Sequence, residues 1–98
     1  MNYRVDWSPT AHDRLEELWV AAENQSAVLR AANAVDNYLA EDPYRHDAHR
    51  IGEENTFIVE PLAVDYEIFE SSRRVVIVAV WMIGFLEKGE RIFARVVQ

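Results

Sequence analysis

Between Ser8 and Pro43 the chain carries two helical apolar stripes joined by a link too short to let the helices separate. Ala11, Leu15, Leu18, Trp19 and Ala22 recur at three- and four-residue spacing, while Asp13, Glu16, Glu17 and Glu23 occupy the other side. Val28, Ala31, Ala32, Val35 and Leu39 repeat the pattern. Only the polar stretch Glu23-Asn24-Gln25-Ser26 intervenes, so the two helices are expected to fold back as an antiparallel αα-hairpin. Ser8 suits the cap of the first helix, and Pro9 its first position, where a missing N–H costs nothing. Ser26 is expected to cap the second. Asp42-Pro43 ends it, because the residue before proline is pushed out of helical geometry.

Helices apolar on one side must bury that side against another layer. The rest of the chain offers strands. Tyr3, Val5 and Trp7 alternate with polar residues, the period of a half-buried strand. Residues 43 to 55 read as a polar connection. Thr56 to Val59, Leu62 to Phe69 and Arg73 to Met82 then follow closely, divided by Glu60-Pro61 and Glu70-Ser71-Ser72. Turns this short predict an antiparallel meander. In the tail, Ile92, Phe93, Val96 and Val97 fit a helical face and equally a strand. The predicted fold is α+β, in the order β-α-α-β-β-β plus a tail over 83–98, with an antiparallel sheet carrying the αα-hairpin on one face. Its 98 residues suit a single domain over 1–98.

The chain has no cysteine, which excludes disulfide staples, thiolate metal sites and thiol nucleophiles together. The opening Met-Asn-Tyr-Arg-Val-Asp-Trp lacks the basic-then-apolar order of a signal peptide, and the apolar run from Val75 to Leu86 is too short to span a membrane. A soluble, cytoplasmic protein with no membrane partner is expected. The formal net charge is −7, whereas a phosphate-binding surface needs concentrated Lys and Arg. Arg45 and Arg50 lie near His46 and His49, and Arg73 adjoins Arg74.

In order and spacing, several segments resemble the RelE/ParE toxin superfamily over about residues 3–82. They are Tyr3-Arg-Val-Asp-Trp-Ser-Pro-Thr-Ala11, then Arg50, then Phe57-Ile-Val-Glu-Pro-Leu-Ala-Val-Asp-Tyr-Glu-Ile68, then Val75 to Trp81. The resemblance implies a sheet with two helices on one face, and a toxin neutralised by a cognate antitoxin that wraps it with an extended or helical segment. It implies no cofactor. Some members of that superfamily cut messenger RNA on the ribosome with a few basic residues and a Tyr or His. Others share the fold, act on gyrase and are not nucleases. Arg50 corresponds to the arginine that precedes the family's hairpin. Arg73, Arg74, Lys88 and Arg91 are basic partners by region.

Metal-independent RNA cleavage would require charge stabilisation, here from Arg50 with Arg73 or Arg74, and proton transfer. No Tyr or His follows Tyr66, so a loop imidazole, His46 or His49, would move the proton. The opposing reading of these residues is solvated surface charge. His46-Asp47-Ala48-His49 is an incomplete ligand set, so no metal is expected. Trp7, Trp19 and Trp81 sit at apolar-phase positions, which favours core packing over base stacking. If Leu62, Val64, Tyr66 and Ile68 face the helices, then Asp65 and Glu67 face away, where an RNA substrate would lie. Two carboxylates there would repel phosphate. The leading expectation is therefore a toxin-like protein whose target is a protein, or whose activity is lost. The alternatives are a ribosome-dependent endoribonuclease and a non-toxic α+β interaction module. With −7 on this chain, the antitoxin segment is expected to be rich in Lys or Arg, or to dock through apolar contacts that include the tail.

Overall fold

The computed structural model describes residues 2–45, 48–51, 54–85 and 91–93. β1 (Arg4–Trp7) leads into α1 (Pro9–Ala21), whose start follows the expected chemistry: Ser8 Oγ accepts the Ala11 N–H at 3.1 Å and Pro9 opens the helix. α2 (Gln25–Glu41) begins two residues earlier than expected, because Asn24 and not Ser26 is its cap. Asn24 Oδ1 accepts the Ala27 N–H at 3.0 Å, and Asn serves as well as Ser in this role. The earlier start also lets the Gln25 side chain donate to the Trp19 carbonyl at 3.1 Å, tying the helices at their link.

Five further strands follow: β2 (His49–Ile51), β3 (Glu54–Val59), β4 (Leu62–Phe69), β5 (Arg74–Phe85) and β6 (Arg91–Phe93). A 3-10 turn, Glu70–Ser72, joins β4 to β5 and ends in Arg73, held left-handed at φ 52°. The sheet order is β1-β5-β4-β3-β2, with β6 also on β5. The meander from β2 to β5 is antiparallel as expected. β1 runs parallel to β5, so the sheet is mixed. The helical hairpin carries the chain from β1 to β2 at the other edge, which runs opposite to β1, and three antiparallel steps then bring β5 beside β1 in the same direction.

β2 lies inside what the sequence offers as a polar connection. His-Arg-Ile is too short and too polar to show alternation, and its pairing with Thr56, Asn55 and Glu54 makes it a strand. In the tail, Ile92 and Phe93 belong to β6, paired with Gly84 and Ile83, which decides for the strand reading there. Val96 and Val97 lie outside the described residues.

The main core forms between the helices and one sheet face. It joins Val28, Ala31, Ala32, Val35 and Leu39 of α2 to Phe57, Leu62, Val64, Tyr66, Val75, Ile77 and Val80, with Leu15, Leu18 and Trp19 packed at its edge. One irregularity decides which β5 residues belong to it. Asp65 pairs with Ala79 but Tyr66 pairs with Ile77, so Val78 is an extra residue, a bulge that shifts the alternation of β5 by one. Val75 and Ile77 before it, and Val80 and Met82 after it, all reach the helix side. Ala79, Trp81 and Ile83 then fall on the far face, in a second cluster with Ile58 and Ala63. Trp81 is thus buried, as its phase implies, but away from the helices.

Candidate functional site

The far face of the sheet carries the polar group that burial makes most unusual. Asp65 is only 2% exposed, and with Asn55 it makes up the buried polar residues among those described. Thr56 Oγ1 donates to Asp65 Oδ1 at 2.5 Å across the β3–β4 ladder. A carboxylate taken out of water needs such donors, because its lost hydration is otherwise uncompensated. The alternation expected of β4 holds, with Val64 and Tyr66 toward the helices and Asp65 between them. Asp65 is nevertheless no solvent-facing repellent charge.

Strand register brings one of the sequence candidates, His49, into the row of this group, with Arg50 in the next row. His49 stands opposite Thr56, and Thr56 opposite Asp65; Arg50 stands opposite Asn55, and Asn55 opposite Tyr66. His49 and Arg50 therefore occupy adjacent positions at the β2 edge, in the two cross-strand rows that hold Thr56, Asp65 and Asn55. Successive strand positions alternate faces, so the row of His49, Thr56 and Asp65 belongs to the far face and the row of Arg50, Asn55 and Tyr66 to the helix side.

Arg73 and Arg74 are not brought to it. Arg74 pairs with Phe69 on one side and Arg4 on the other, at the opposite edge of the sheet. Three strand spacings and three residues along β5 separate it from the Arg50 row, on the order of 15–20 Å. Both arginines also have local work. Arg74 Nε donates to Asp6 Oδ2 at 2.8 Å, and this bond, with Arg4 assisting, holds the Asp6 carboxyl below its ordinary range. Arg73 Nε donates to the Asn2 carbonyl at 3.2 Å, its Nη1 lies 3.3 Å from Glu70 Oε2, and its guanidinium sits 4.3 Å from the Tyr3 ring centre. Arg91 lies opposite Phe85 in β6, whereas His46 and Lys88 lie outside the described residues.

A polar cluster around Glu70 has no counterpart in the sequence reading. Tyr44 and Tyr3 both donate their hydroxyls to Glu70 Oε1, at 2.6 and 2.7 Å. The two bonds, Tyr44's first, hold the Glu70 carboxyl below its usual value. The same bond pushes Tyr44 up to about 12 and raises Tyr3. These hydroxyls hold their protons firmly near neutral pH, and through them the cluster ties the β4–β5 turn to the start of β1 and to the α2–β2 connection. Its members are 26 to 67 residues apart in the chain, which is why no local motif announces them. Arg45, beside them, lies 4.7 Å from the Tyr38 ring centre and 5.0 Å from that of Phe57, a stacking contact that keeps the cation on the protein.

Neither a protein-family profile nor a curated protein sequence matches this chain. Solved structures do. A chain of the RelBE2 toxin–antitoxin complex from Mycobacterium tuberculosis aligns at a TM-score of 0.70 with 17% identity, over 84% of this chain and 92% of that one. The fold is that of the RelE toxins. The isolated RelE toxin of E. coli aligns at a TM-score of 0.64 with 12% identity, over 88% of this chain and 89% of its own. A chain of the archaeal RelE–RelB complex from Pyrococcus horikoshii aligns at 0.60 with 16% identity, over 84% and 96%. The RelE-like fold thus accounts for nearly the whole length of these chains while sharing few of their residues.

Proposed function

We propose that this chain is the toxin of a type II toxin–antitoxin pair, held inactive by a cognate antitoxin in the cytoplasm. The observation that carries the reading is the likeness, over more than four-fifths of this chain, to RelE chains, two of those described above in toxin–antitoxin complexes. Among the described residues, no helix is long and apolar enough to cross a membrane, in keeping with a partner that meets the protein in water.

The arrangement of charge supports a protein target such as gyrase, or a lost activity, over messenger RNA on the ribosome. The Arg73–Arg74 pair is spent on Glu70, Tyr3 and Asp6 at the edge far from Arg50. A buried carboxylate, Asp65, stands in the row of the other candidate, His49. The net charge of −7 works against RNA throughout. If cleavage does occur, Arg50 is the charge stabiliser and His49 the proton carrier, the two sequence candidates that β2 carries. Inducing the chain alone, and then with the product of the neighbouring reading frame, tests the reading. Growth arrest relieved by the neighbour, with transcripts intact, is the expected result. Growth unaffected by the chain would leave a non-toxic interaction module.

A further inference from the structure

The outer side of α1 is an unpartnered helix face with a definite chemistry. Asp13, Glu16, Glu17 and Val20 fall at i, i+3, i+4 and i+7, one stripe of the helix, and line a shallow open groove. All four are exposed, while α1 meets the sheet and α2 through Ala11, Leu15, Leu18 and Trp19. Val20 is 68% exposed, more than any other large apolar side chain described. One exposed valine on its own needs no explanation. This one ends a run of three carboxylates that the described residues barely neutralise. Arg14 pairs with Glu17 at 3.0 Å, and His12 Nδ1 lies 3.7 Å from Asp13.

Resting on the toxin–antitoxin reading, we infer that a lysine- or arginine-rich segment of the antitoxin docks along this stripe, its cations on Asp13 and Glu16 and an apolar side chain against Val20. The stripe spans about two helical turns, roughly 10 Å, room for a short segment and too little for a domain. Charge selects the occupant. A second copy of this chain would bring the same carboxylates, and a nucleic acid would bring phosphates, so both are repelled. A basic segment gains from the local stripe and from the long-range field of a −7 chain.

The test uses the full chain and the neighbouring gene product, with association followed in real time between about 50 and 500 mM salt, a range that shrinks the screening length severalfold. The association rate should fall roughly tenfold or more across it, as for steered encounters. Glu16→Lys should lower the low-salt rate and flatten the salt response. Glu67→Lys, the same change in net charge on the sheet, should do so less. Val20→Gln should speed dissociation without altering the salt slope. All three positions lie outside the core, so melting curves should be unchanged and folding does not confuse the result. A tight complex with a flat salt response, or Glu16→Lys indistinguishable from Glu67→Lys, overturns this docking stripe and leaves the toxin–antitoxin reading standing. Absence of both complex and growth arrest overturns the two together.

Discussion

The Tyr66 hydroxyl donates a 2.6 Å hydrogen bond to the Pro43 carbonyl, joining the middle of the sheet to the point where α2 gives way to the β2 connection. Tyr66 is fully buried and Pro43 is buried as well, so the carbonyl has little access to water. Tyr66→Phe keeps the ring and strands that acceptor. The expected loss is about 1–3 kcal/mol, the cost of an unsatisfied buried polar group. A denaturant melt within about half a kilocalorie of wild type, the range of ordinary surface changes, would show that water or another donor replaces the hydroxyl.

The two helices should differ in what truncation costs. Leu39 has no exposed surface and sits within the core, whereas Leu18 is only partly buried at its margin. Leu39→Ala should cost about 2–5 kcal/mol through lost burial and the cavity left behind. Leu18→Ala should cost about 1–2 kcal/mol, because solvent already reaches part of the side chain and can fill the space. Equal losses in paired melts would mean that α1 is as deeply seated as α2.

Trp7 Nε1 donates to Asp36 Oδ1 at 2.8 Å, but burial of that carboxyl outweighs the bond and raises its pKa above the ordinary 3.8. An acid raised on folding favours the protonated native state. Its contribution to stability is therefore full below about 3.8 and is lost as pH rises through the raised value. Asp36→Asn retains an acceptor for the indole and removes the charge. The variant should match or exceed wild type at pH 7, and its advantage should vanish below about pH 4. A marked loss at pH 7 would show that Trp7 needs the ionised carboxylate.

What was legible in the sequence was whatever periodicity and capping encode. Both helical stripes, the Ser8–Pro9 start and the bounds of β4 follow from spacing alone, and the core uses the expected residues. β2 was hidden because three residues cannot display a period; it exists through pairing with β3. The parallel β1–β5 edge and the bulge at Val78 are likewise facts of long-range register, which local pattern does not carry. Arg50 and His49 are candidates from the sequence, whereas the row that joins His49 to Thr56 and Asp65 is again a fact of long-range pairing. Asp65 did have a signal, a carboxylate in a strand between Val64 and Tyr66, though it read as an outward charge and not as a buried, bonded one. Arg73 and Arg74, adjacent in sequence and attractive as a pair, proved to be anchored by Glu70 and Asp6.

The Glu70 cluster should be visible by titration. Tyr44 is held near pKa 12 chiefly by the hydrogen bond it gives to Glu70. Ultraviolet absorbance during an alkaline titration should show a tyrosine ionising well above the usual value near 10. Glu70→Gln should bring that transition down, because the amide no longer holds the phenol proton with a full charge. A tyrosine raised on folding contributes stability that is present below its unfolded pKa and lost as pH climbs through the folded one. Glu70→Gln should therefore lower stability slightly at neutral pH and flatten the alkaline end of the profile, where the difference from wild type fades. An unaltered titration would mean that Tyr44 is raised by something other than Glu70.

The last prediction separates the two groups of arginines. Arg50 stands on the β2 edge beside His49, in line with Asn55, whereas Arg73 bridges Asn2, Glu70 and the Tyr3 ring. If the induced chain cuts transcripts, Arg50→Ala should lower cleavage by roughly a hundredfold, as removal of a charge-stabilising donor does. His49→Ala should act in the same direction, while both variants melt as wild type does. Arg73→Ala should behave in the opposite way, lowering the melting temperature with cleavage reduced only as far as the folded fraction falls. If transcripts stay intact, as the charge arrangement favours, Arg50→Ala leaves that result unchanged and its effect is read on growth arrest instead. Cleavage indifferent to Arg50 and to the Arg73–Arg74 pair would end the nuclease reading outright. Parallel loss of stability and activity in Arg50→Ala would make that arginine a structural residue, and the search for a target-facing surface would move elsewhere on the sheet.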